Sequence, residues 1–419
     1  MTKTTTNFPL MPQANVENER NLENTPSTDI VVAEETIGSS LWRLHLREME
    51  FSDSFISDIH SLSSLSGGVN LFFESEFQAA AQNRIMPPST QQIFLTETLG
   101  EETAVRLYFP VNIEKAGFPP KPVFRAASHP YAPLSLPLVE RDDIDEISDR
   151  FAGLFSKLSE VNKLPVLFED FPYEEFSARK LTDALAKHGF QLRVTSEVER
   201  AILHPIYEAE DPGEAFMKRN LTSKRRRQLN AQLRKLREIG SLDFEKATDF
   251  ESVLTRFEEF LLLELRGWKG QRRTAMHAIR KTAAFARQAV GQLARQRRAT
   301  VYSMRLDGRS IASLIVLKSG TRYYPWKIAY DENYQVFAPG IQLLMHATKD
   351  MLCTPGFSFA DSLAAPDSVI NRLWSDRLKL GTLIVSANEL GDHKVSGLER
   401  ALDRKSAARN FAKRLLRRS

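Results

Sequence analysis

The sequence predicts an α/β fold composed of two halves, and three observations support this. The chain has 419 residues, which exceeds what one hydrophobic core normally serves. Short runs rich in β-branched and aromatic residues alternate with longer segments whose apolar residues recur at helical spacing. With 42% hydrophobic and 26% charged residues, the composition is typical of a soluble globular protein. We therefore expect two α/β domains.

The first part of the chain is predicted to be a disordered tail followed by an α/β domain. Residues 1–38 are assigned to the tail because 13–38 are polar, acid-leaning and almost free of aromatic side chains. The domain, residues 39–205, contains neither a glycine-rich phosphate loop nor a nucleophile elbow. Its predicted strands lie at 42–44, 91–110 and 164–169, and its predicted helices follow Asp142 and cover 177–188.

One acidic pair in this domain has two interpretations. Asp143 and Asp145 are spaced like a glycosyltransferase metal motif. Acidic residues are also favourable at a helix N-terminus, and the apolar stripe of a helix follows directly. We prefer the helix interpretation.

Several features favour a cytoplasmic location. The longest apolar runs, such as 260–263 and 311–317, are far too short to span a bilayer. The N-terminus lacks the basic stretch and apolar core of a secretory signal. Cys353 is the only cysteine, so no intrachain disulfide can form, which agrees with a reducing compartment.

Positive charge is concentrated in two segments, although the net charge of the chain is only +4. Residues 213–239 have helical character with nine basic and two acidic side chains, and residues 391–419 form a basic tail. The helix is a solvated linker with buried leucines, a patch for an acidic glycan or lipid-linked substrate, or a nucleic-acid site. Nucleic acid is the least favoured, since no aromatic side chains interleave for base stacking. The basic residues are Lys218, Arg219, Lys224, Arg225, Arg226, Arg227, Arg234, Lys235 and Arg237, and the leucines are Leu221, Leu229, Leu233 and Leu236.

Residues 206–390 are predicted to form the second domain, organised around a strand–loop–helix unit. The apolar run at 311–317 suits a strand buried on both faces, and 323–330 reads as the next strand. The tripeptide at 338–340 then precedes a helix that reaches Leu352 with its apolar residues on one side. Because the first N–H groups of a helix are free, this junction is a candidate anion site.

Three stretches of this half carry a resemblance to a known family. Together they resemble the CelD-type branch of the GNAT acetyltransferases, also called the BioF2-like acetyltransferase domain family. The resemblance covers residues 200–385 well and 40–200 loosely. It implies tandem GNAT-like halves, each a mixed, mostly antiparallel sheet flanked by helices, of which the N-terminal half is degenerate. The stretches are Gly267-Trp268-Lys269-Gly270, Trp326 to Glu332 with Ala338-Pro339-Gly340, and Asp361 to Asp367 with Leu373 to Arg377.

The resemblance implies acetyl-CoA or another acyl-CoA as the co-substrate. In GNAT proteins a Gln/Arg-x-x-Gly-x-Gly/Ala loop holds the pyrophosphate. Here Gln335-x-x-Ala338-x-Gly340 takes that position, with Ala338 where the first glycine is expected. The preceding strand would lie against the pantetheine arm. The residues expected to bind the co-substrate are Lys327, Ile328, Ala329, Gln335, Pro339, Gly340, Ile341 and Leu343.

Direct acyl transfer needs a base for the acceptor and a proton donor for the leaving thiolate. No residue stands out as the base, and Asp361, Glu264 and Asp331 are the candidates. Asp361 is placed first because it ends a predicted strand that should face the acceptor cleft. Tyr330 is the candidate donor.

Acceptor binding is assigned to three residues. Trp268 offers a lid or stacking platform for a sugar ring, Lys269 a partner for phosphate or carboxylate, and Trp374 lies in the third stretch. We expect no metal, because the histidines show no HxxxH or HExxH spacing and one cysteine cannot build a thiolate site.

The sequence thus favours a cytoplasmic acyltransferase, and the resemblance implies a sugar or an exopolysaccharide- or cellulose-related precursor as acceptor. Membrane-associated polysaccharide machinery is a further expected partner, reached through the basic segments, and nucleic acid is not expected. Two alternatives stay open. One is a Fem-like aminoacyl transferase that uses charged tRNA; the other is an inactive GNAT-fold scaffold protein of polysaccharide synthesis.

Overall fold

The computed structural model describes residues 29–67, 70–82, 84–365, 368–387 and 392–416. Within these ranges the chain forms fourteen strands and twelve α-helices. The strands are β1 (Ile30–Ile37), β2 (Ser40–Glu48), β3 (Gln91–Leu99), β4 (Glu102–Ala116), β5 (Lys121–Ala126), β6 (Leu138–Val139), β7 (Val166–Phe171), β8 (Gln191–Leu203), β9 (Leu242–Ala247), β10 (Ala299–Leu306), β11 (Arg309–Ser319), β12 (Arg322–Tyr330), β13 (Phe359–Asp361) and β14 (Asp376–Ser386). The helices are α1 (Asp53–Leu65), α2 (Ser75–Ala81), α3 (Ile144–Phe155), α4 (Ser159–Lys163), α5 (Phe176–Lys187), α6 (Pro212–Asn220), α7 (Ser223–Ile239), α8 (Phe250–Arg266), α9 (Trp268–Gln271), α10 (Arg280–Arg295), α11 (Pro339–Leu352) and α12 (Asp392–Leu416). Short 3-10 helices lie at Leu71–Phe73, Met276–Ala278, Glu332–Phe337 and Val369–Arg372.

The described strands join into one large, mostly antiparallel sheet. Its order is β1-β2-β3-β4-β5-β7-β14-β8-β13-β12-β11-β10-β9, and β6 pairs with β4 beside this path. Two neighbouring pairs are parallel, β5 with β7 and β12 with β13. This architecture confirms the predicted α/β class with a mixed, mostly antiparallel sheet flanked by helices.

Helices cover both faces of the sheet in the second half. Helices α8 and α10 pack on one face, and α6, α7 and α11 pack on the other. In β11, Ile315 contacts the first group, whereas Leu314 and Val316 contact the second. The β-branched run therefore forms a strand buried on both faces, as predicted.

The last strand joins the two halves. By sequence position β14 belongs to the predicted second domain, yet it lies between β7 and β8 of the first half. Strand β8 in turn pairs with β13 at its far end. A boundary between residues 205 and 206 therefore does not divide the sheet. Strand β14 of the second half pairs with β7 and β8 of the first half, and β8 also pairs with β13 of the second half.

The predicted disordered tail extends too far along the chain. Residues 1–28 lie outside the described part, but Ile30–Ile37 form the edge strand β1. This strand pairs antiparallel with β2 from Ile30 opposite Leu46 to Ile37 opposite Ser40. Cross-strand pairing thus outweighs the acidic composition on which the prediction of disorder rested.

The basic segments also differ from their predictions. The single helix expected at 213–239 is two helices, because Thr222 leaves the helical conformation and its hydroxyl accepts the N–H of Arg225 as the cap of α7. The expected basic tail forms α12, which is docked on the first half. Val395, Leu398 and Leu402 of this helix are buried against residues of β5, β7 and β14.

Candidate active site

Strands β12 and β13 begin side by side and then separate. Their parallel pairing is limited to Arg322 with Phe359 and Tyr323 with Ala360. Two residues further along β12, Pro325 has no N–H to donate, and β13 ends one residue after its last pair. Beyond this point the β13 side of β12 faces a gap, and its backbone polar groups are available to a ligand.

A β-bulge in β12 lies beside this gap, and its residues Pro325, Trp326 and Lys327 line the gap. Pro325 and Lys327 lie opposite consecutive residues of β11, which leaves Trp326 as the extra residue. The indole N–H of Trp326 donates to the carbonyl oxygen of Tyr131 over 2.8 Å. The bulge is therefore tied to a loop of the first half of the chain.

The gap is a cavity of about 420 Å³. Its walls are β12, the chain that follows β13, and the start of α11. Six of the residues predicted to bind the co-substrate line it, namely Lys327, Ile328, Gln335, Pro339, Gly340 and Ile341, together with the predicted Tyr330 and Lys269. Further lining residues that sequence reasoning did not select are Leu314, Pro325, Trp326, Ala338, Leu344, Ser362, Leu363, Ala364, Ser368, Val369 and Ile370.

A smaller cavity of about 190 Å³ adjoins the first on the side of α8 and α9. The two cavities share Lys269, Ile328 and Tyr330 as lining residues. The smaller one is otherwise lined by Leu263, Glu264, Gly267, Trp268, Ala329 and Glu332. Two ligands, one in each cavity, would meet beside Tyr330.

The loop before α11 adopts the conformation that glycine usually supplies. Ala338 has φ 53° and ψ 48°, in the left-handed region, and its carbonyl oxygen accepts the N–H groups of Ile341 and Gln342, each over 3.0 Å. Pro339 is the first helical residue and has no N–H. Alanine at this position therefore adopts the left-handed turn at the cost of local strain.

Gly340 brings the helix start close to the cleft strand. A Cβ added there would lie 3.2 Å from the ring of Tyr330. Within the described chain no carbonyl accepts the N–H of Gly340. This free donor lies at the positive end of a 14-residue helix, which suits a bound anion.

Glu264 and Lys269 form an ion pair at the smaller cavity. Lys269 Nζ lies 2.7 Å from Glu264 Oε1, and the backbone N–H of Met276 donates to Glu264 Oε2 over 2.8 Å. Gly267 ends α8, so that the chain turns back and places Lys269 beside the helix that carries Glu264. The neighbouring Trp268 is 48% exposed, and its backbone N–H donates to Glu332 over 2.7 Å.

Lys327 is a partly buried cation in the larger cavity. Its Nζ lies 4.8 Å from the ring centroid of Tyr131, a residue of the first half. Burial, together with the nearby Lys269 ammonium, lowers the pKa of Lys327 to about 8, although Glu264 opposes the shift. Among the described residues, no carboxylate forms an ion pair with it.

Four predicted site residues line neither of the two cavities. Asp361 is 1% exposed, and its Oδ2 lies 3.1 Å from Arg200 Nη1. Trp374 is buried in the core, where its indole N–H donates to Thr348. The remaining two are Leu343, which is fully buried, and Asp331, whose side chain caps the 3-10 helix after β12. Of the third motif, Pro366 and Asp367 lie outside the described residues.

Helix α7 packs against the loop before α11. The side-chain amide of Gln232 donates to the carbonyl of Val336 over 2.7 Å, and that of Gln342 donates to the carbonyl of Leu229 over 2.8 Å. Leu229 and Leu236 are buried, as a linker helix requires. Within the described part of the chain, the cations of α7 form no ion pairs. The helix therefore presents uncompensated positive charge next to the candidate anion loop.

No helix in the described part of the chain combines the length and apolar character needed to span a bilayer. The same residues contain no group of three or more His, Cys, Asp or Glu side chains arranged to hold a metal ion.

A comparison with protein families matches residues 223–367 to the model described as an acetyltransferase (GNAT) domain. This segment contains α8, β12, β13 and α11. It includes every residue named above as lining the two cavities except Ser368, Val369 and Ile370. The match identifies a GNAT acetyltransferase domain in about a third of the chain and supports a transferase. Among curated proteins, no sequence matches the chain.

Solved structures with a similar course of the chain have little sequence in common with it. FemX is 11% identical, with 83% of this chain and 99% of that chain covered and a TM-score of 0.48. A conserved protein of unknown function from Bacteroides thetaiotaomicron VPI-5482 is 10% identical, with 81% and 99% covered and a TM-score of 0.47. A tandem GNAT protein from the clavulanic acid biosynthesis pathway is 12% identical, with 82% and 98% covered and a TM-score of 0.39.

Proposed function

Because residues 223–367 match a GNAT acetyltransferase domain, we propose that this chain transfers an acyl group, acetyl in the first instance, from acyl-CoA to a small-molecule or glycan acceptor. The observation that carries the proposal is the cavity of about 420 Å³ between β12 and the chain after β13, with the start of α11 in its wall. An open strand edge that leads to a helix N-terminus suits an extended chain that ends in a phosphate group.

The residues at this cleft fit an acyl-CoA. The edge of β12 after Pro325 offers backbone donors and acceptors to the amides of a pantetheine arm. The free N–H of Gly340 and the dipole of α11 suit a pyrophosphate, and the missing side chain at Gly340 leaves space beside Tyr330. A bound acyl-CoA would supply its acyl group as a thioester.

We assign proton transfer to residues at the boundary of the two cavities. Tyr330 lines both, which supports its hydroxyl as the proton donor to the leaving thiolate. Glu264 lines the smaller cavity, and we assign to it the proton that the acceptor loses. Its bond to Lys269 holds it in position. Asp361, held by Arg200, is assigned a positioning role instead of that of the base.

The acceptor is proposed from the CelD-type resemblance and from one exposed side chain. Trp268 lines the smaller cavity with its indole half exposed, which suits stacking against a sugar ring. We therefore place a sugar or exopolysaccharide precursor in the smaller cavity. The basic surface of α7 would face the membrane-associated machinery that uses such precursors.

Calorimetric binding of acetyl-CoA tests the proposal. We expect the wild type to bind and Gly340→Trp to lose at least tenfold in affinity, because the new side chain fills the space beside Tyr330. Val336→Trp is the matched control, since Val336 lies in the same loop, is 65% exposed and does not line the cavity. A well-folded wild type that does not bind acetyl-CoA contradicts the proposal, and a circular-dichroism melt establishes folding.

The uncompensated cations of α7 support a second candidate, transfer of an aminoacyl group from charged tRNA. In that case the wild type would bind charged tRNA with a steep dependence on salt concentration and would not bind acetyl-CoA. An inactive scaffold protein, in turn, would bind an acidic glycan with no requirement for either donor.

A further inference from the structure

The surface beside the smaller cavity comes from a long stretch of the chain without acidic residues. No Asp or Glu occurs in residues 265–306. Of the six cations in residues 266–281, only Lys269 forms an ion pair within the described chain, and the other five have exposed side chains. Protein surfaces ordinarily mix charges of both signs, so this part of the molecule is unusually basic. The five cations are Arg266, Arg272, Arg273, Arg280 and Lys281.

Three carboxylates lie beside these cations, but they leave most of the positive charge unbalanced. Glu264 and Glu258 are already paired, over 2.7 Å and 2.6 Å, with cations other than these five. Glu332 accepts the backbone N–H of Trp268 over 2.7 Å and has no cationic partner among the described residues. It offsets at most one of the five exposed cations. The surface therefore keeps an excess of positive charge.

Three large apolar side chains are exposed among these cations. Leu262 on α8, Trp268 on α9 and Ile279 just before α10 are 45%, 48% and 48% exposed. The two carboxylate oxygens of Glu264 bond to the chain that follows α8 and hold it against this helix, so the three side chains border the end of α8. The guanidinium of Arg272 lies 5.4 Å from the ring centroid of Trp268. An exposed apolar patch bordered by charge indicates an interaction site.

The start of α10 departs from the usual pattern of a helix N-terminus. Ile279 is the capping residue, and its side chain cannot accept a hydrogen bond from the free N–H groups. Arg280 and Lys281 occupy the first turn, where positive charge opposes the helix dipole. Such local departures are expected where a residue serves an interaction instead of the fold. A partner with negative charge outside and an apolar interior would compensate for both departures.

We propose that this docking surface, formed by the exposed side chains of residues 262–281, binds to an anionic lipid bilayer. The cations contact the phosphate headgroups. Leu262, Trp268 and Ile279 enter the boundary between headgroups and acyl chains, the level at which tryptophan is enriched in membrane proteins. A nucleic acid or an acidic polysaccharide would engage the cations but would leave Leu262 and Ile279 in water.

Docking brings the smaller cavity to the lipid surface, because Trp268 belongs both to the docking surface and to the lining of that cavity. An acceptor anchored in the bilayer then reaches the cavity without leaving the membrane. This consequence for the acceptor rests on the proposed function, whereas the docking itself does not depend on which group is transferred.

Co-sedimentation of the full-length protein with lipid vesicles tests the docking. The vesicles contain phosphatidylcholine alone or equal parts of phosphatidylcholine and phosphatidylglycerol. We expect the wild type to bind the anionic vesicles more tightly. The double variant Arg280→Gln with Lys281→Gln should weaken this binding by about 30-fold, since each cation near an anionic surface contributes about fivefold. Ile279→Ser should weaken it by about 3- to 10-fold, because half of an isoleucine side chain is no longer buried.

Matched control variants come from the first half of the chain. Lys115→Gln with Lys157→Gln removes two exposed cations, and Leu99→Ser removes an exposed aliphatic side chain. Both should bind the vesicles as the wild type does, and a circular-dichroism melt establishes the folding of each variant. None of the substituted residues lines either cavity, so acetyl-CoA affinity should not change. A protein that binds the vesicles but not acetyl-CoA contradicts the proposed function and supports the docking.

Tryptophan fluorescence distinguishes insertion from electrostatic attraction alone. Of the four tryptophans only Trp268 is exposed, since the other three are at most 5% exposed. Anionic vesicles should therefore shift the emission to shorter wavelength in the wild type but not in Trp268→Phe. The inference is overturned if the wild type does not prefer anionic vesicles, if the Arg280 and Lys281 double variant binds them normally, or if binding leaves the emission unchanged. Tighter binding to alginate or to tRNA than to the vesicles overturns it as well.

Discussion

The ion pair between Arg200 and Asp361 permits a sharp test of what Asp361 does. Arg200 is 4% exposed and donates to Asp361 Oδ2 over 3.1 Å, to Asp170 Oδ1 over 3.3 Å and to the carbonyl oxygen of Pro133 over 3.0 Å. These partners lie on β13, at the end of β7 and in the loop before β6. The guanidinium therefore joins elements of both halves. As a proton-transfer base, Asp361 would affect turnover; as an ion-pair partner, it affects stability.

The expected magnitudes follow from these contacts. Arg200→Met leaves the carboxylate of Asp361 buried without its counter-charge, which should lower the free energy of unfolding by about 3–5 kcal/mol. Asp361→Asn keeps the side-chain shape and leaves Arg200 its other two acceptors, so its cost should be about 1.5–3 kcal/mol. The double variant should cost less than the sum of the two, with a coupling energy of about 2 kcal/mol.

Urea unfolding, followed by tryptophan fluorescence, provides the free energies, and acyl transfer is measured on the same preparations. Asp243→Asn is the control, since Asp243 is exposed on β9 and should change stability by no more than about 0.5 kcal/mol. Additive costs in the double variant would refute the ion-pair reasoning. An Asp361→Asn variant with full stability but without turnover would restore Asp361 as the base.

Three further predictions concern the loop, the cleft lysine and the core. Ala338→Gly should raise the free energy of unfolding by about 1 kcal/mol, because relief of left-handed strain exceeds the added entropy of the unfolded chain; a loss in urea unfolding would contradict this. Since the pKa of Lys327 falls from 10.5 to about 8 on folding, the unfolded chain binds the extra proton between these values. Stability should therefore rise from pH 8 to 10.5, with a smaller slope in Lys327→Met, and equal slopes would exclude the shift. Trp374→Phe removes the bond to Thr348 and should lower the melting stability by about 1–2 kcal/mol with acyl transfer unchanged, whereas an altered KM for the acceptor would place Trp374 in the acceptor site.

Local patterns were sufficient to predict strand β11 and helix α11, which flank the candidate anion loop. The β-branched run of β11 and the Pro339-Gly340 start of α11 contain their own signals, and both elements occur where they were predicted. The left-handed backbone conformation of Ala338 could not be predicted from such a local sequence pattern. An alanine is rarely left-handed, and here the conformation accompanies the packing of α11 against β11 and β12 and the hydrogen bonds at the helix start.

The cleft itself depends on contacts between distant parts of the chain. Strand β13 has three residues, too few for a periodic signal, and its separation from β12 appears only after folding. Arg200 and Asp361 are separated by 161 positions, and Tyr131 reaches Trp326 across 195. No spacing along the sequence could indicate that Asp361 would be buried by Arg200 or that Tyr131 would cover Lys327. The incorrect prediction of disorder for the residues of β1 has the same origin. The acidic composition of this segment gave no indication that it would pair with β2.

The position of β14 determines when the sheet can be completed during synthesis of the protein. Residues Asp376–Ser386 lie between β7 and β8, which end at Phe171 and Leu203, much earlier in the chain. As the chain leaves the ribosome, β7 therefore lacks a partner on one edge and β8 lacks partners on both edges until nearly all of the second half has been made. A nascent chain that stops before Asp376 exposes those edges. Such edges favour association with another chain. The first half therefore completes its part of the sheet only when the second half supplies β14.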